Sequence, residues 1–501
     1  MCMYNLYTCS CVSLSLSLCI LLHTSMEAIV LYPAPNMGHL ISMVELAQLI
    51  LHHHHPSNSL LSVHVLITSP PINLGSASTY IASVSATTPS IIFHHLPDPS
   101  PPLLPASFPS MEVLVFEHIN LTNPHVQTTL LSISLFSSIR AFVIDGFCTP
   151  ALEVGTSLHI PTYYFFSSGA SCLALFLYLP TLHKNTTTSF KDLNTHLHVP
   201  GLPPIPSSHM PEPTLDRTKE QHSWFLNFAT RLPKSAGIIV NTFNSLEPNA
   251  LKAISDGICV QDGHTPPIFC VGPVIKSNDP SAGGQAECLK WLDSQPRGKV
   301  VFLSFGSLGT FSKEQLKEIA VGLEKSGQRF LWVVRSPPMK EQRQLLMSQS
   351  DEDPDLDSLL PESFLDRTRE KGLVVKQWAP QVAVLSHDAV GSFVTHCGWN
   401  SVLEAICAGI PMVAWPLYAE QRFNKTLLVE QLKLALPMNE SAGGLVSAAE
   451  VERRVREIMD SEDGNSVREQ VLAKRQEAMA ASSEHGSSRV ALAKFVESAK
   501  R

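Results

Sequence analysis

At 501 residues the chain is too long for one ordinary domain and long enough for two or more. Hydrophobic residues make up 44% of it and charged residues 16%, a composition that can bury large cores and excludes disorder along most of the chain. A formal net charge of −8 excludes the class of nucleic-acid binders that rely on a strongly basic face.

The first 25 residues and the cysteines bear on the compartment. Residues 1–25 contain the apolar run Val12–Leu22 but no Lys or Arg, so they lack the positive start of a secretory signal. The run is shorter than the roughly 20 residues of a membrane span. Because Met26 opens a predicted buried strand, we interpret 1–25 as a non-native or disordered upstream-start extension, with a cleaved signal peptide as the alternative. Only a secreted protein would use the N-glycosylation sequons (N-x-Ser/Thr) at Asn120, Asn185, Asn424 and Asn439.

The 11 cysteines are sparse outside the N-terminal tip and show no CxxC or zinc-like spacing. This usage predicts reduced thiols in a cytoplasmic protein without a stable membrane anchor. Because no metal-ligand spacing is present, we assign no metal site.

The first half of the chain alternates predicted strands and helices. An apolar run at Ala28–Pro33 ends in a Pro/Gly-rich turn, and apolar residues at helical spacing follow from Leu40 to Leu51. With the next strand at Val63–Thr68, this is a βαβ unit, which requires parallel strands. Further strands are predicted at Ser90–His94, Ala141–Asp145, Thr162–Phe166 and Gly237–Asn241.

The second half restarts the alternation. The stretch 255–274 lacks strong periodicity and suits an interdomain linker, and the acidic, proline-bearing stretch 337–362 predicts a surface loop. A helix is predicted at Lys313–Ser326, helices dominate from Ala448 onward, and strands are predicted at Lys299–Phe305, Phe330–Arg335, Gly372–Gln377, Gly391–Thr395 and Pro411–Ala414. Two such α/β halves facing each other would form a cleft that takes a nucleotide-like ligand.

The stretch from Trp378 to Gln421 carries the strongest chemical signal. Ser401 and Glu404 have the spacing of a capping box, which predicts that a helix starts at Ser401. A helix N-terminus carries unpaired N–H groups and a partial positive charge, so it favours a bound anion. His396 and Asn400 would add side-chain donors for phosphate oxygens. Taken alone, however, Ser401 and Glu404 could simply cap a helix.

Two flanking groups favour a nucleotide sugar. Trp378 follows a predicted strand, where an exposed indole could stack on a base. Glu420 and Gln421 follow a later strand and offer acceptors and donors suited to sugar hydroxyls. A base stacker, an anion site and sugar-binding groups therefore occur within one short stretch.

The stretch WAPQVAVLSHDAVGSFVTHCGWNSVLEAICAGIPMVAWPLYAEQ closely resembles the signature box of plant family 1 UDP-dependent glycosyltransferases, and the likeness extends from Met26 to about Arg501. The resemblance implies an α/β fold of the GT-B type, with two facing Rossmann-like domains, parallel sheets and a cleft between them. It implies an acceptor-binding domain over 26–254, a linker over 255–274 and a UDP-sugar-binding domain over 275–480. Residues 481–501 would form a C-terminal helix that packs back on the N-terminal domain.

The resemblance also assigns residues to each part of the donor. The uridine would be held by Trp378, Ala379, Gln381 and Glu404, and the diphosphate by Ser307, His396, Asn400 and Ser401. The sugar would be contacted by Trp399, Glu420 and Gln421, with Ser167 as a further contact.

Two positions in the box predict the donor sugar. Relatives that use UDP-glucuronate carry an arginine where this chain has Trp399, because a carboxylate calls for a cation. Relatives that use galactose tend to have a histidine where this chain has Gln421. The pair predicts UDP-glucose, with another donor sugar as the alternative.

The catalytic base is predicted in the first half. A histidine at a helix start is more often a cap than a catalyst, but the resemblance places the family's catalytic histidine at His39 and its carboxylate partner at Asp145. The implied reaction is a single inverting displacement on a phenolic hydroxyl that yields a β-glucoside and UDP without a metal or other cofactor.

The apolar stretches at Pro161–Phe166 and Leu173–Pro180 resemble the subgroup that acts on flavonoids, chalcones and related phenols, although core packing explains most of them equally well. We expect a monomer that binds a UDP-sugar and a small phenol. C-glycosylation and an inactive sugar-nucleotide binding protein stay open as alternatives. A dinucleotide enzyme is disfavoured, because neither half has G-x-G-x-x-G in its first βα turn.

Overall fold

The computed structural model describes residues 26–53, 61–71, 77–99, 109–261, 263–276, 287–337 and 353–499. The prediction for 1–25 therefore lies outside the described residues, as does the 338–352 part of the predicted surface loop.

The first half forms a parallel sheet of seven strands in the order β3-β2-β1-β4-β5-β8-β9, and β6 and β7 form a separate antiparallel pair. The strands are β1 Met26–Tyr32, β2 Leu61–Ile67, β3 Ile91–His95, β4 Ser137–Asp145, β5 Thr162–Phe166, β6 His196–Leu197, β7 Ile205–Pro206, β8 Gly237–Val240 and β9 Ile268–Cys270. The helices are α1 Met37–His53, α2 Ser78–Thr87, α3 Met111–Ser134, α4 Ala151–Ser157, α5 Ala170–Asn185, α6 Glu220–Arg231 and α7 Pro248–Ser255. Short 3₁₀ turns lie at Gly146–Cys148, Phe190–Asp192, Ser207–His209, Glu212–Thr214 and Leu232–Lys234.

The second half forms a parallel sheet of six strands in the order β12-β11-β10-β13-β14-β15. These are β10 Val300–Ser304, β11 Arg329–Val334, β12 Gly372–Lys376, β13 Val390–Thr395, β14 Met412–Ala414 and β15 Ala435–Pro437. Its helices are α8 Glu287–Asp293, α9 Lys313–Ser326, α10 Leu356–Leu359, α11 Phe364–Thr368, α12 Gln381–Leu385, α13 Trp399–Ala408, α14 Gln421–Thr426, a π-helical turn at Leu427–Gln431, α15 Ala448–Asp460 and α16 Glu462–Ser482. The last helix, α17 Ser487–Ser498, follows.

Helices cover both faces of each sheet, which explains why the strands read as continuous apolar runs. In β1, Val30 and Tyr32 join the core on one face, whereas Ile29 and Leu31 join the core on the other face. The side-chain alternation of a strand therefore feeds two separate hydrophobic layers.

Part of the predicted linker is a strand. Ile268–Cys270, inside the stretch 255–274, pairs in parallel with β8 and forms an edge of the first sheet. The apolar run between Pro267 and Pro273 has only four residues before Gly272, which is too short to show a strand period, so periodicity missed the strand. The predicted loop at 337–362 also contains a short helix, α10.

The C-terminal helix α17 returns to the first half. It packs against α1 and β9, and its Leu492 and Phe495 are buried in the core of the first sheet. None of the helices in the described ranges is both long and apolar enough to cross a membrane.

Each sheet has one point where the strand order reverses. In the first sheet this point lies between β1 and β4, and in the second it lies between β10 and β13. Loops at the carboxyl ends of such strand pairs diverge and leave a crevice, the usual ligand site of open parallel sheets. The predicted site residues lie at the carboxyl ends of these four strands and of their sheet neighbours β5, β12 and β14.

Candidate active site

His39 and Asp145 meet at the crevice of the first sheet. His39 lies in the first turn of α1, and its backbone N–H donates to Asn36 Oδ1 over 3.1 Å. Its Nδ1 lies 2.6 Å from Oδ2 of Asp145, the last residue of β4. The other carboxylate oxygen accepts from the backbone N–H of Phe147 at 2.9 Å. A carboxylate at Nδ1 selects the tautomer with its proton there, so Nε2 keeps the lone pair that a general base needs.

The surroundings of His39 also tune its basicity. Burial alone lowers the pKa of the imidazole, but the charge and hydrogen bond of Asp145, together with the charge of Glu420, outweigh it. The net result is a pKa above the usual value for histidine. The imidazole is therefore a stronger base than a free histidine.

His39 opens into a cavity of about 350 Å³ between the two halves. Its walls are mainly apolar, and they include six phenylalanines from segments far apart in the chain: Phe147, Phe165, Phe166, Phe176, Phe225 and Phe228. A flat apolar molecule fits such walls. Carboxylates of Glu112 and Glu212 line the same space.

The second half closes this cavity with the loop after β14. Tyr418, Ala419 and Glu420 line it, and the backbone N–H of Glu212 donates to the carbonyl of Ala419 at 2.9 Å. Ser167, at the end of β5, lines it as well. The structure thus brings the predicted Ser167 and Glu420 to the same space as His39.

At the crevice of the second sheet, two glycines pack on the ring of His396. A Cβ on Gly306 would lie 2.6 Å from its Nε2, and a Cβ on Gly398 would lie 2.5 Å from the same atom. Gly306 also has a φ of +74°, which side-chain-bearing residues rarely adopt. Burial lowers the pKa of His396 to about 4, so the ring is neutral near pH 7. Ser307 follows Gly306 and is exposed.

The predicted helix start is present but displaced, and the predicted capping box is wrong. Helix α13 begins at Trp399 after Gly398, two residues before Ser401, so Ser401 already lies within the first turn. Its Oγ accepts from Gln381 Nε2 at 2.7 Å, and the same amide donates to Glu404 Oε2 at 2.7 Å. No side chain caps the first-turn N–H groups of α13. These N–H groups therefore stay available to an anion at this helix end.

The residues predicted to hold the uridine include an exposed ring and a carboxylate with a raised pKa. The Trp378 side chain follows β12 and is 65% exposed, so one face of the indole can take a base. Ala379 next to it is buried. Burial raises the pKa of Glu404 to about 7, although the Gln381 hydrogen bond and the charge of Lys276 oppose the shift.

Trp399 and Asn400 connect the two halves instead of pointing to a free crevice. The Trp399 indole is 3% exposed, and its N–H donates to the carbonyl of Asn241 at 2.7 Å. The one polar group of the indole is therefore used within the protein, and the sugar contact of Trp399 stays a prediction. Asn400 Nδ2 donates to Ser42 Oγ at 2.9 Å, and Asn400 Oδ1 accepts from Asn241 Nδ2 at 3.4 Å.

Gln421 shapes the loop that carries Glu420. It is buried, and its Oε1 accepts from the backbone N–H groups of Leu417 at 2.8 Å and Tyr418 at 3.0 Å. Burial raises the pKa of Glu420, and hydrogen bonds, including one from Asn424, and the charge of His39 oppose that shift. Glu420 is thereby held at the wall of the cavity into which His39 opens.

Known proteins resemble this chain over most of its length. Residues 271–472 match the family model for UDP-glucoronosyl and UDP-glucosyl transferase. UDP-glycosyltransferase 88B1 of Stevia rebaudiana is 51% identical over 470 residues, which are 94% of this chain and 98% of that protein. The chain belongs to the plant UDP-glycosyltransferase family.

Further relatives and solved structures extend over the same length. A phloretin 2'-O-glucosyltransferase of Malus domestica is 48% identical over 94% of this chain and 99% of its own. The structure of Phytolacca americana UGT2 complexed with UDP-2fluoro-glucose and pterostilbene is 37% identical, with a TM-score of 0.81 over 95% of this chain and 100% of that one. The GT-B fold predicted for this glycosyltransferase is therefore confirmed, and the chain is a UDP-dependent glycosyltransferase.

Sequence reasoning missed several residues that build the site of this glycosyltransferase. Ser42 and Asn241 reach Asn400 across the halves, and Glu112 and Glu212 enter the cavity from separate helical segments. No local pattern marks them, because each becomes part of the site only through tertiary packing. Only Phe147 had a local signal, since it follows Asp145 by two residues.

The described ranges of the glycosyltransferase hold no group of three or more His, Cys, Asp or Glu side chains placed to bind a metal ion.

Proposed function

We propose that this enzyme transfers glucose from UDP-glucose to a hydroxyl of a small phenolic acceptor, such as a flavonoid or chalcone, and releases a β-O-glucoside and UDP. The observation that carries the proposal is the His39–Asp145 pair, 2.6 Å apart, opening into an aromatic cavity that the donor half closes.

His39 acts as the general base. Nε2 takes the proton of the acceptor hydroxyl while that oxygen attacks C1 of the glucose, and the bond from C1 to the UDP oxygen breaks. The proton stays on the imidazolium, which Asp145 stabilises. A phenol, with a pKa near 10, loses its proton to a histidine far more readily than an alkanol does.

The departing UDP is stabilised by neutral donors. The uncapped first turn of α13 presents backbone N–H groups and the positive end of the helix dipole. His396, Ser401 and Ser307 surround that end in this proposal, with Asn400 joining them once its contact to Ser42 is released. Preorganised donors of this kind stabilise a developing anion without any solvent reorganisation.

Donor and acceptor classes are supported by chemistry and by relatives. Relatives that use UDP-glucuronate or UDP-galactose would be expected to carry other residues at the positions of Trp399 and Gln421. Relatives named for phloretin and anthocyanidin glucosylation are 47–48% identical to this chain. The aromatic walls of the cavity suit acceptors of the same flat, phenolic kind.

The test is product formation by the full-length chain with UDP-glucose and a panel of phenols, read by mass spectrometry. We expect the gain of one hexose on at least one phenol, removed by acid hydrolysis because the linkage is through oxygen. His39→Ala should abolish the product, whereas His52→Ala, at an exposed position of the same helix, should not.

An acid-stable hexose adduct would instead indicate C-glycosylation, and product from another UDP-sugar alone would overturn the glucose assignment. Binding of UDP without any product would leave only a sugar-nucleotide binding protein.

A further inference from the structure

We propose that a second pocket, remote from the cleft, binds inorganic phosphate or a phosphate monoester. It has a volume of about 300 Å³ and lies in the second half. Gly298, Val390 and Ile410 line it, each just before or at the start of β10, β13 or β14. The pocket therefore opens at the amino ends of these strands, on the edge of the sheet opposite the donor crevice.

Three arginines give this pocket its charge. Arg468 and Arg475 project from one face of α16, seven positions apart, and Arg297 precedes β10. Asp388 is the one carboxylate among the lining residues, and it pairs with Arg297 at 3.9 Å with both side chains largely exposed. The pocket lining therefore carries a net positive charge, with three guanidinium groups and one carboxylate.

The two arginines of α16 have almost no protein partners. In the described part of the chain, Arg475 makes no hydrogen bond or ion pair, and its Nε is buried. Arg468 donates to the carbonyl of Gly391 at 2.8 Å and pairs with no carboxylate there. Because partly buried charges are costly without a partner, an anion between these groups would be stabilised.

A structural role for Arg475 explains the arrangement less well. The pocket includes the C-terminal end of α13, where a cation could satisfy the last carbonyls. Arg475 lies across that end: a Cβ on Gly409 would be 3.0 Å from its Cδ. Its guanidinium nevertheless donates to none of those carbonyls. Packing of its aliphatic part at Gly409 holds the Arg475 side chain in place, and its guanidinium N–H groups stay available to a ligand.

Phosphate is the anion that this geometry fits. A guanidinium presents paired N–H donors that match two phosphate oxygens, and two guanidiniums can hold a dianion. His387 contributes no donor, because its Nδ1 accepts from the N–H of Ala389 at 3.1 Å and its Nε2 lies 3.1 Å from Asp293. The selectivity would therefore rest on Arg468 and Arg475.

The test is calorimetric titration of the full-length protein with inorganic phosphate at constant ionic strength. The protein is first saturated with UDP, so that the donor crevice is filled and UDP binding is verified separately. We expect one saturable site in the millimolar range or tighter, weakened at least about tenfold by Arg475→Gln. Arg369→Gln, which removes an exposed charge outside the pocket, should bind like the wild type.

Two further titrations distinguish the class of ligand and the role of the paired guanidinium donors. Glucose 6-phosphate in place of phosphate shows whether a monoester enters, with glucose as the neutral control. Arg475→Lys keeps the charge but loses the paired donors, so its affinity should fall between those of the wild type and Arg475→Gln.

Thermal unfolding separates binding from folding. Since Arg475 has no partner in the described residues, Arg475→Gln should melt at or above the wild-type temperature without phosphate and should lose the phosphate-induced rise. Absence of saturable phosphate binding to the wild type, or equal binding by Arg475→Gln, would overturn the proposal while leaving the glycosyltransferase function intact.

Discussion

The 2.6 Å contact between Asp145 and His39 links the rate of the enzyme to its pH dependence. Asp145→Asn removes the charge that keeps the pKa of His39 above its usual value. The base must be neutral to accept a proton, so activity is lost as pH falls through that pKa. We therefore expect kcat to fall by about 100-fold or more and the acidic limb of the pH profile to move to lower pH.

The profile is measured as kcat/KM against pH with one phenolic acceptor. Asp256→Asn, which changes the same charge at an exposed ion pair with Lys252, should leave the profile unchanged. An acidic limb that stays in place in Asp145→Asn would show that His39 is not the titrating base.

Glu404 gives a second pH dependence, on binding. Its pKa of about 7 means that the carboxylate that would accept the ribose hydroxyls forms as pH rises through neutrality. Affinity for uridine, which carries no titrating phosphate, should therefore rise by up to about tenfold between about pH 6 and pH 8. In Glu404→Gln the affinity should be nearly flat over this range. Calorimetry at each pH measures the affinity for uridine. If the affinity of Glu404→Gln still rises with pH, another group causes the effect.

Some contacts between residues of the candidate site could be predicted from the sequence, and others could not. His39 and Asp145, more than 100 positions apart, do meet, because they lie at the carboxyl ends of β1 and β4, beside the same reversal of strand order. The placement of the Trp399 indole could not be predicted, because burial and a partner in the other half decide what its N–H does. A partner such as Asn241 is set by domain packing, which no local pattern records.

At the scale of single elements, the start of α13 depends on two glycines that make room for His396. Gly398→Ala would place a Cβ 2.5 Å from His396 Nε2, so the ring that is proposed to contact the diphosphate would have to shift. We expect UDP to bind about tenfold more weakly while the fold persists, since the pushed atom belongs to a side chain. Gly443→Ala, where a Cβ would meet only Ser441 Oγ at 4.0 Å, is the matched control. Unchanged UDP affinity in Gly398→Ala would contradict this role of His396.

The elements that periodicity predicted well are the long ones with a clear apolar pattern. The strand β1 and the helix α9 lie within two residues of their predicted bounds. The three-residue strand β9 and the first turn of α13 were not predicted correctly. In both places a turn and a tertiary contact, rather than a repeating apolar pattern, determine where the element begins.

For the whole molecule, the sheet of the first half is completed only by late parts of the chain. Strand β9 comes after residue 267, and α17 comes after the entire second half. The two halves are further joined by Asn400 with Ser42 and by Trp399 with Asn241. Folding of the acceptor half should therefore depend on the chain end that packs on it.

Phe495 provides the test. Its ring is fully buried in α17 and lies 5.1 Å from that of Tyr163 and 5.8 Å from that of Phe269, between β5 and β9. Phe495→Ala should lower the free energy of unfolding of the first half by about 3–5 kcal/mol. Val490→Ala, at a position 44% exposed on the same helix, should change it by about 0.5 kcal/mol or less. Urea unfolding with hydrogen exchange read on β5 and β9 separates the halves. Equal protection of these strands in Phe495→Ala and wild type would show that α17 merely rests on the first half instead of completing its core.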